Sequence, residues 1–326
     1  MVGVVVAAAL TALLAQNAAF NSAGADVIGG AVGLEIPDLG DEAMIRRGAA
    51  HYDRVCASCH SSPDRPERGR DLELSPSPPK LHLRIDGWAS EAVFRVVKHG
   101  VAGTGMPAWP AVGRDDEIWS MVAFLRILPN LDISTYRNLA GLDQPPGSLP
   151  PLFSSCLRCH REDGRGTRDG AFPRLDIQTP EYLLAALVAF RDGRRQSGFM
   201  RSAVAGLRND ELALLARHFG QQVRPDAASA QGPAQLSNRT APACTSCHGP
   251  PHPARPDFPA LLGQYEGYLL QQLELMTDDD SRRGGGPYYN LMRQVVHIAD
   301  EDTLASAAEW FGLEGADADD GPLHRR

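Results

Sequence analysis

The residues best suited to chemistry in this sequence are its six cysteines, which fall into three copies of the pattern Cys-x-x-Cys-His. Cysteines three apart lie on one face of a helical turn, where their sulfurs can form thioethers with the two vinyl groups on one edge of a haem. The histidine that follows then supplies an imidazole nitrogen to the iron. The pattern therefore predicts three covalently bound haem c groups. The predicted haem-binding residues are Cys56, Cys59 and His60; Cys156, Cys159 and His160; and Cys244, Cys247 and His248.

A lone Cys-x-x-Cys also occurs in redox dithiols and as half of a zinc site, so both are alternatives to haem. The redox motif belongs to a βαβ pattern, and a structural zinc needs a second ligand pair a short loop away. Here the copies begin at residues 56, 156 and 244, which are 100 and 88 residues apart, and they use every cysteine. This is the spacing of separate domains, and it favours three haem sites.

The length and charge of the chain limit its class. The 326 residues would form three small domains, each marginal for a purely apolar core that a buried porphyrin would complete. The formal net charge is −8, and lysine and arginine form no clustered run. We therefore expect no nucleic-acid partner.

The N-terminal segment has the character of an export signal. The apolar run over residues 2–15 is shorter than the ~20 residues of a membrane span and suits a signal-peptide core. Ala23, Gly24 and Ala25 form a cleavage site of the A-x-A type. We predict a signal peptide over residues 1–25; a retained segment would instead associate the chain with the membrane.

The remainder is predicted to consist of helices joined by loops rich in glycine and proline. Five residues have the type and position of helix N-caps, namely Asp41, Ser90, Thr179, Asn209 and Asp300. Prolines are expected to interrupt the helix that leads into the second and third motifs, at Pro150, Pro151 and Pro242. Composition then divides the chain into a linker (26–40), a first domain (41–137), a Pro/Gly linker (138–150), a second domain (151–223), a linker (224–238), a third domain (239–314) and an acidic tail (315–326).

The second and third domains are repeats of each other. Seven residues from Phe172 to Leu187 match Phe258 to Leu273 at a constant offset of 86. Methionine is the usual sixth ligand in electron carriers. Met200 is the only methionine of the second domain, and it follows Phe199 as Met292 follows Leu291. We therefore predict Met200 and Met292 as distal iron ligands.

Other methionines compete for the distal positions. Met276 falls opposite the apolar position Phe190 of the repeat, and Met121 lies on the apolar face of a helix, so both are interpreted as core residues. In the first domain Met44 precedes the haem motif, whereas Met106 lies in a turn of glycine and proline that no helix would accept. The predicted metal ligands are thus His60, Met106, His160, Met200, His248 and Met292.

Each motif is followed, 11 to 19 residues after its histidine, by a Pro-x-Leu segment that begins at Pro79, Pro173 or Pro259. The proline carbonyl is a candidate acceptor for the Nδ1 proton of the motif histidine, which would fix the tautomer of the iron ligand; the alternative is a plain loop proline. The other histidines are interpreted as surface or core residues, namely His51, His82, His99, His218, His252, His297 and His324.

With these features in place, residues 41–137 resemble a class I mono-haem cytochrome c, through Gly48 and Tyr52 before the motif and residues 104–109 after it. Residues 151–313 resemble the di-haem cytochrome c4 family, through Phe172, Pro173 and Leu175, the Tyr182 and Leu183 pair, the turn at 190–193, and Met200. The resemblance implies an all-α fold of three tandem cytochrome c domains, each wrapped around one covalently bound haem. It also implies export to the periplasm and electron transfer without substrate chemistry.

Three functions are compatible with this sequence. The first is a periplasmic tri-haem carrier that takes electrons from a dehydrogenase or quinol-oxidising complex and passes them to a terminal oxidase or reductase. The second is a membrane-associated cytochrome subunit of a periplasmic dehydrogenase of the alcohol or sugar-acid type. The third is a haem enzyme with one open iron, for which the third domain is the candidate because a glycine-rich insertion, 284–287, precedes Met292.

Overall fold

The structure is a computed structural model that describes residues 34–69, 72–143, 149–220, 241–249, 253–277 and 283–313. The predicted signal peptide, the predicted linker over 224–238 and the predicted acidic tail all lie outside these ranges. Within them, the regular structure is helical, apart from an isolated β-bridge between Arg195 and Gly284. The predicted all-α fold is therefore confirmed.

Fourteen α-helices are described, and we number them in chain order. They are α1 (Glu42–His51), α2 (Ala57–His60), α3 (Leu81–Arg84), α4 (Ser90–His99), α5 (Asp115–Ile127), α6 (Ile133–Leu139), α7 (Pro151–His160), α8 (Pro180–Arg191), α9 (Gly198–Val204), α10 (Asn209–Gly220), α11 (Ala241–His248), α12 (Glu266–Thr277), α13 (Tyr289–Ile298) and α14 (Glu301–Leu313). A π-helical segment, Tyr52–Cys56, joins α1 to α2, and a 3₁₀ turn, Leu128–Asn130, follows α5.

The chain forms two compact units. Of the described residues, the first unit contains those from 34 to 109 together with Asp115–Ala140, and the second contains Pro110–Arg114 and those from 141 to 313. The first unit therefore contains the first Cys-x-x-Cys-His motif, and the second unit contains the other two. The domain boundaries drawn from composition remain predictions.

The first unit is built on the packing of α1 against α5. Asp41 caps α1, and its carboxylate accepts a hydrogen bond from the Met44 amide at 2.6 Å. Gly48 lets the two helices approach closely, because a Cβ there would lie 2.2 Å from the Ser120 carbonyl oxygen. Beside this contact the buried rings of Tyr52 and Phe124 have centroids 5.3 Å apart. The helix that leads into the first motif is thereby fixed by the core.

A buried carboxylate ties the end of the first unit to its haem motif. Asp53, in the π-helical segment, is 1% exposed and accepts hydrogen bonds from the Tyr136 hydroxyl at 2.8 Å and the Arg65 guanidinium at 2.5 Å. Burial, and then the negative charge of Asp53, raises the pKa of Tyr136, so this phenol remains a donor. The contact connects α6 and the loop after His60 to the segment before Cys56.

The second unit shows the predicted repeat in its helices. Helix α12 begins and ends 86 positions after α8. The core residues Leu183, Ala216 and Phe219 correspond to Leu269, Ala308 and Phe311. The last two pairs are 92 positions apart, so the third domain has gained six residues between its helices α12 and α14.

Cap predictions at two further helices are confirmed. The Thr179 hydroxyl accepts a hydrogen bond from the Tyr182 amide at 3.0 Å, with Pro180 as the first residue of α8. The Asp300 carboxylate accepts one from the Thr303 amide at 2.8 Å at the start of α14. Ser90 and Asn209, in contrast, are the first residues of α4 and α10 and not their caps; the cap of α4 is Ala89.

The expectation that prolines interrupt the helices before the second and third motifs is wrong. Helix α7 runs from Pro151 to His160, with Pro150 as its N-cap, and α11 runs from Ala241 to His248 with Pro242 as its second residue. Proline is tolerated in the first helical turn because the amide it lacks has no intrahelical partner there. These prolines therefore begin the helices that carry the motifs.

Within the ranges that the structure describes, no helix has both the length and the apolar character that crossing a bilayer requires.

We predict that Tyr136→Phe lowers the free energy of unfolding by about 1.5–3 kcal/mol, because a buried carboxylate loses a hydrogen bond. Urea denaturation of the full chain, followed by tryptophan fluorescence, measures this change. Ile133→Ala in the same helix α6 is the matched control, since Ile133 is 54% exposed and should change stability little. Equal effects of the two variants would contradict a special role for the Asp53 contact.

Candidate functional site: three Cys-x-x-Cys-His turns

Each of the three motifs ends a helix at its histidine, because His60, His160 and His248 are the last residues of α2, α7 and α11. In each case the amide of the following residue donates to the carbonyl four positions earlier, at 3.1, 2.8 and 2.8 Å. Ser61 and Arg161, which follow the first two histidines, have left-handed φ angles of 58° and 62°. Left-handed backbone in a non-glycine residue stops a helix at once and is often found at functional sites. The chain thus turns away directly after the histidine.

The structure places each motif histidine against the proline carbonyl predicted for it. The distance from Nδ1 to the carbonyl oxygen is 2.8 Å for His60 and Pro79. It is 3.2 Å for His160 and Pro173 and 3.0 Å for His248 and Pro259. A carbonyl can only accept, so Nδ1 carries the proton and Nε2 keeps its lone pair. All three imidazoles therefore have the tautomer in which Nε2 is available to bind a metal.

Burial keeps the motif histidines neutral. It lowers the pKa of His60 and His248, and it lowers that of His160 to about 4, while the hydrogen bond to the proline carbonyl acts in the opposite direction. Neutral imidazole is the form that ligates iron. The electrostatics of the three turns therefore suit metal binding near neutral pH.

The surroundings of the cysteines raise the thiol pKa, whereas a reactive dithiol needs surroundings that lower it. Burial, and then the neighbouring Cys59, raises the pKa of Cys56 to about 12, and burial raises that of Cys244. Redox dithiols and zinc ligands work as thiolates, which a lowered pKa favours. Among the described residues, no three His, Cys, Asp or Glu side chains converge as an ion site. Thioether bonds to a haem need no such activation by the protein.

Two loops reach the motifs closely only because glycine is present. A Cβ on Gly69, whose φ is 79°, would lie 2.3 Å from the Cys59 carbonyl oxygen. A Cβ on Gly166, at φ 67°, would lie 2.9 Å from the carbonyl oxygen of Pro173, the group that holds His160. These loops therefore pack directly on the haem-attachment turns.

In the repeated domains an equivalent ring also lies beside each histidine. The centroids of His160 and Phe172 are 6.3 Å apart, and those of His248 and Phe258 are 6.0 Å apart. Phe172 and Phe258 are related by the repeat offset of 86, so each of the two sites has its own phenylalanine at the equivalent position.

The methionines differ in burial, and their roles as iron ligands remain predictions. Met121 and Met276 are buried, at 1% and 8% exposure. Met106 lies half-buried outside any helix, and Met200 and Met292 lie half-buried in the first turns of α9 and α13. Met292 follows Met200 by 92 positions, the same offset that relates the two cores after the insertion. The structure thus pairs Met200 with Met292 and not with Met276.

A cationic cluster that the sequence did not reveal lies where the two repeats meet. Arg195, 8% exposed, donates to the hydroxyls of Tyr182 at 3.1 Å and Tyr268 at 3.3 Å and to Gln272 Oε1 at 3.3 Å. Arg283 also binds Gln272 Oε1, at 2.8 Å, and burial together with the charge of Arg195 lowers its pKa to about 10. Two buried guanidinium groups would be stabilised by an anion. A haem propionate is an anion that such a cluster would bind.

The other described histidines have neighbours of ordinary core and surface kinds. The His51 ring is buried with its centroid 5.0 Å from that of Trp109. His82 Nδ1 lies 3.3 Å from the Ser61 hydroxyl, and His218 Nε2 lies 3.3 Å from the Glu162 carbonyl. His99 and His297 are exposed, and His252 and His324 lie outside the described residues.

Comparison with known proteins shows that this chain is similar to cytochromes. The family model of cytochrome c oxidase, cbb3-type, subunit III matches residues 43–125. The thiosulfate dehydrogenase electron acceptor of Thiomonas intermedia is 29% identical over 181 residues, which are 51% of this chain and 82% of that protein. Cytochrome c4 of Pseudomonas aeruginosa is 33% identical over 171 residues, 48% of this chain and 83% of that protein. A solved structure of Acidithiobacillus ferrooxidans cytochrome c4 is 27% identical and covers 49% of this chain and 98% of its own, with a TM-score of 0.40.

Burial, and then the charge of Arg54, lowers the pKa of His51 to about 3, so stability should depend on pH through this residue. Below pH ~6.5 the His51 imidazole is protonated in the unfolded chain but stays neutral in the folded protein. Stability therefore falls as the pH drops, by up to about 1.4 kcal/mol per pH unit, until the folded pKa is reached. Urea unfolding between pH 7 and pH 4 should show a shallower dependence in His51→Gln than in the wild type. His99→Gln, an exchange at an exposed histidine, is the control, and an unchanged slope in His51→Gln would contradict the prediction.

Proposed function

This chain belongs to the multihaem c-type cytochromes, and from that membership we propose that it is a periplasmic tri-haem electron carrier. It takes electrons from a dehydrogenase or quinol-oxidising complex and passes them to a terminal oxidase or reductase. Three covalently bound haem c groups supply the redox chemistry. The protein's part is to bind and orient them and to set the surroundings of each iron.

One observation carries this proposal: the same histidine and proline arrangement occurs three times. In all three motifs, at 2.8, 3.2 and 3.0 Å, a proline carbonyl holds Nδ1 and leaves Nε2 available. A fixed, neutral imidazole holds its geometry through a change in iron charge, which keeps reorganisation small. Three equivalent centres of this kind suit electron transfer, whereas an enzyme would need at least one centre built differently for its substrate.

We propose the following roles for the site residues. The cysteines of each motif hold the porphyrin by thioethers, and His60, His160 and His248 are the proximal ligands. Met106, Met200 and Met292 close the distal sides. A thioether ligand stabilises reduced iron and raises the reduction potential, as a carrier between respiratory partners requires.

A dehydrogenase is the donor that the relatives favour. The protein from Thiomonas intermedia is named an electron acceptor of thiosulfate dehydrogenase, and the chain matches 82% of its length. We therefore propose thiosulfate dehydrogenase as the first donor to test. Docking would use a small, weakly bound surface, because each turnover requires release.

We predict that Met292→Ala removes methionine ligation from one haem of the three and lowers that haem's reduction potential, since a soft sulfur ligand is lost. Visible and near-infrared spectra of the ferric protein during a redox titration measure both changes. The matched variant Met276→Leu should leave the sulfur-to-iron band intact and cost less than about 1.5 kcal/mol of stability, because it exchanges one apolar side chain for another of similar volume. Loss of the band in Met276→Leu instead would transfer the ligand role to that residue.

The carrier function predicts that the purified, matured protein contains three haem c groups per chain and accepts three electrons. Anaerobic stopped-flow mixing of the oxidised protein with a thiosulfate dehydrogenase and thiosulfate should reduce all three haems, and thiosulfate without the enzyme is the control. Fewer than three bound haems would contradict the proposal. Carbon monoxide binding to the reduced protein at neutral pH would indicate an open iron and favour the haem-enzyme alternative.

A further inference from the structure

The two repeats of the second unit hold each other through a reciprocal pair of glutamine side chains. Gln264 Oε1 accepts a hydrogen bond from the Arg174 amide at 2.9 Å, and its Nε2 donates to the Arg174 carbonyl at 3.0 Å. Gln178 makes the equivalent two hydrogen bonds with Ala260. Its Oε1 accepts from the Ala260 amide at 3.0 Å, and its Nε2 donates to the Ala260 carbonyl at 2.8 Å. Gln178 and Gln264 are 86 positions apart, as are Arg174 and Ala260. The contacts therefore obey the internal symmetry of the repeat.

Both glutamines are buried with their polar atoms in use, at 4% exposure for Gln178 and 3% for Gln264. Each amide oxygen accepts from a backbone N–H of the opposite repeat, and each amide nitrogen donates to a backbone carbonyl there, so only one orientation of the side-chain amide satisfies both bonds. Gln264 Oε1 also accepts from the amide of its own neighbour Tyr265, at 3.1 Å. A buried amide that is satisfied in this way holds its partner rigidly. The two glutamines are thus suited to fix backbone in the opposite repeat.

The backbone that they fix is the peptide group that orients the haem-ligating histidine. The Pro173 carbonyl, which accepts from His160, and the Arg174 amide, which donates to Gln264, are the two ends of one peptide group. In the other repeat the Pro259 carbonyl and the Ala260 amide form the equivalent group, between His248 and Gln178. A peptide group is conjugated, so a hydrogen bond donated by its N–H increases the negative charge on its carbonyl oxygen.

We propose that each glutamine is a positioning residue that tunes the reduction potential of the haem in the opposite repeat. Gln264, from the third domain, polarises the carbonyl that accepts from His160, and Gln178, from the second domain, does the same for His248. A more negative carbonyl oxygen strengthens the hydrogen bond from Nδ1, and the imidazole then donates its Nε2 electron pair more strongly to iron. Stronger donation stabilises the ferric state and lowers the reduction potential of the haem. The inference rests on the proposed haem ligation by these histidines.

The test is a redox titration of the full-length tri-haem protein, with each haem followed by the NMR signal of its own methionine ligand. Gln264→Leu removes both hydrogen bonds to Arg174, together with the one from the Tyr265 amide, so the haem at His160 should become easier to reduce. We expect about a threefold to tenfold rise in its reduced-to-oxidised ratio at a fixed potential, where tenfold corresponds to about 59 mV for one electron. The haems at His248 and His60 should not change. Gln178→Leu should shift the haem at His248 instead.

Two further variants separate this effect from a loosened interface. Gln264→Glu keeps an acceptor for the Arg174 amide, so the potential of the haem at His160 should stay at or below the wild-type value, and this variant also serves if the leucine exchange fails to fold. Tyr265→Phe removes another hydrogen bond between the repeats, from its hydroxyl to the Arg165 carbonyl at 2.8 Å, without touching either proline peptide. It should leave all three potentials unchanged. The ¹⁵N chemical shift of His160 Nδ1 should move in Gln264→Leu and not in Tyr265→Phe.

The outcomes distinguish this inference from the carrier function itself. A shift confined to the haem of the opposite repeat supports it. A shift of the haem in the same repeat, an equal shift of both, or no shift in a protein that retains three titrating haems would overturn it and leave the carrier function standing. A wild-type protein without three titrating haems would overturn the carrier function.

Discussion

The hydrogen bond from the motif histidine to a proline carbonyl is the contact on which the rest of the structure depends. It decides which imidazole nitrogen keeps its proton, and it also fixes the ring against rotation. It can do so only if a helix end and a distant loop hold their relative positions, because 11 to 19 residues separate the two partners. The abrupt turns at Ser61 and Arg161 and the close loop contacts of Gly69 and Gly166 are consequences of that requirement.

The two units meet this requirement with different supports. In the first unit the loop between His60 and Pro79 is tied to local elements: Arg65 binds Asp53, and Lys80 Nζ donates to the Pro66 carbonyl at 2.7 Å. In the second unit the proline loops are held by the opposite repeat through a buried amide on each side. Neither repeat of the second unit therefore has a complete support for its histidine without the other.

Residues that act on their own sequence neighbours were predictable, and residues that act across the fold were not. Asp41, Thr179 and Asp300 cap helices because a cap bonds an amide three positions away. The proline carbonyls were predictable because the same Pro-x-Leu segment follows all three motifs. Gln178 and Gln264 were not predictable from local sequence because their partners lie 82 and 90 positions away, although the two glutamines are themselves related by the repeat offset of 86. Pro151 does not interrupt its helix because it is the first residue, where the rule for helix interiors does not apply.

The glutamine contacts between the two repeats are symmetric, whereas the contacts made by the insertion in the third domain are not. The Arg283 carbonyl accepts from the Gln196 amide at 2.7 Å, and the Gly285 amide donates to the Arg194 carbonyl at 3.1 Å. Gly284, at φ 58°, is required there because a Cβ would lie 1.8 Å from the same Arg194 oxygen. Among the described residues, the third domain thus adds Arg283 beside the buried Arg195 of the second domain, together with backbone hydrogen bonds to residues 194 and 196. Charge and burial near a haem affect its reduction potential, so this asymmetry is the kind of difference by which two sites built on one pattern can differ in potential.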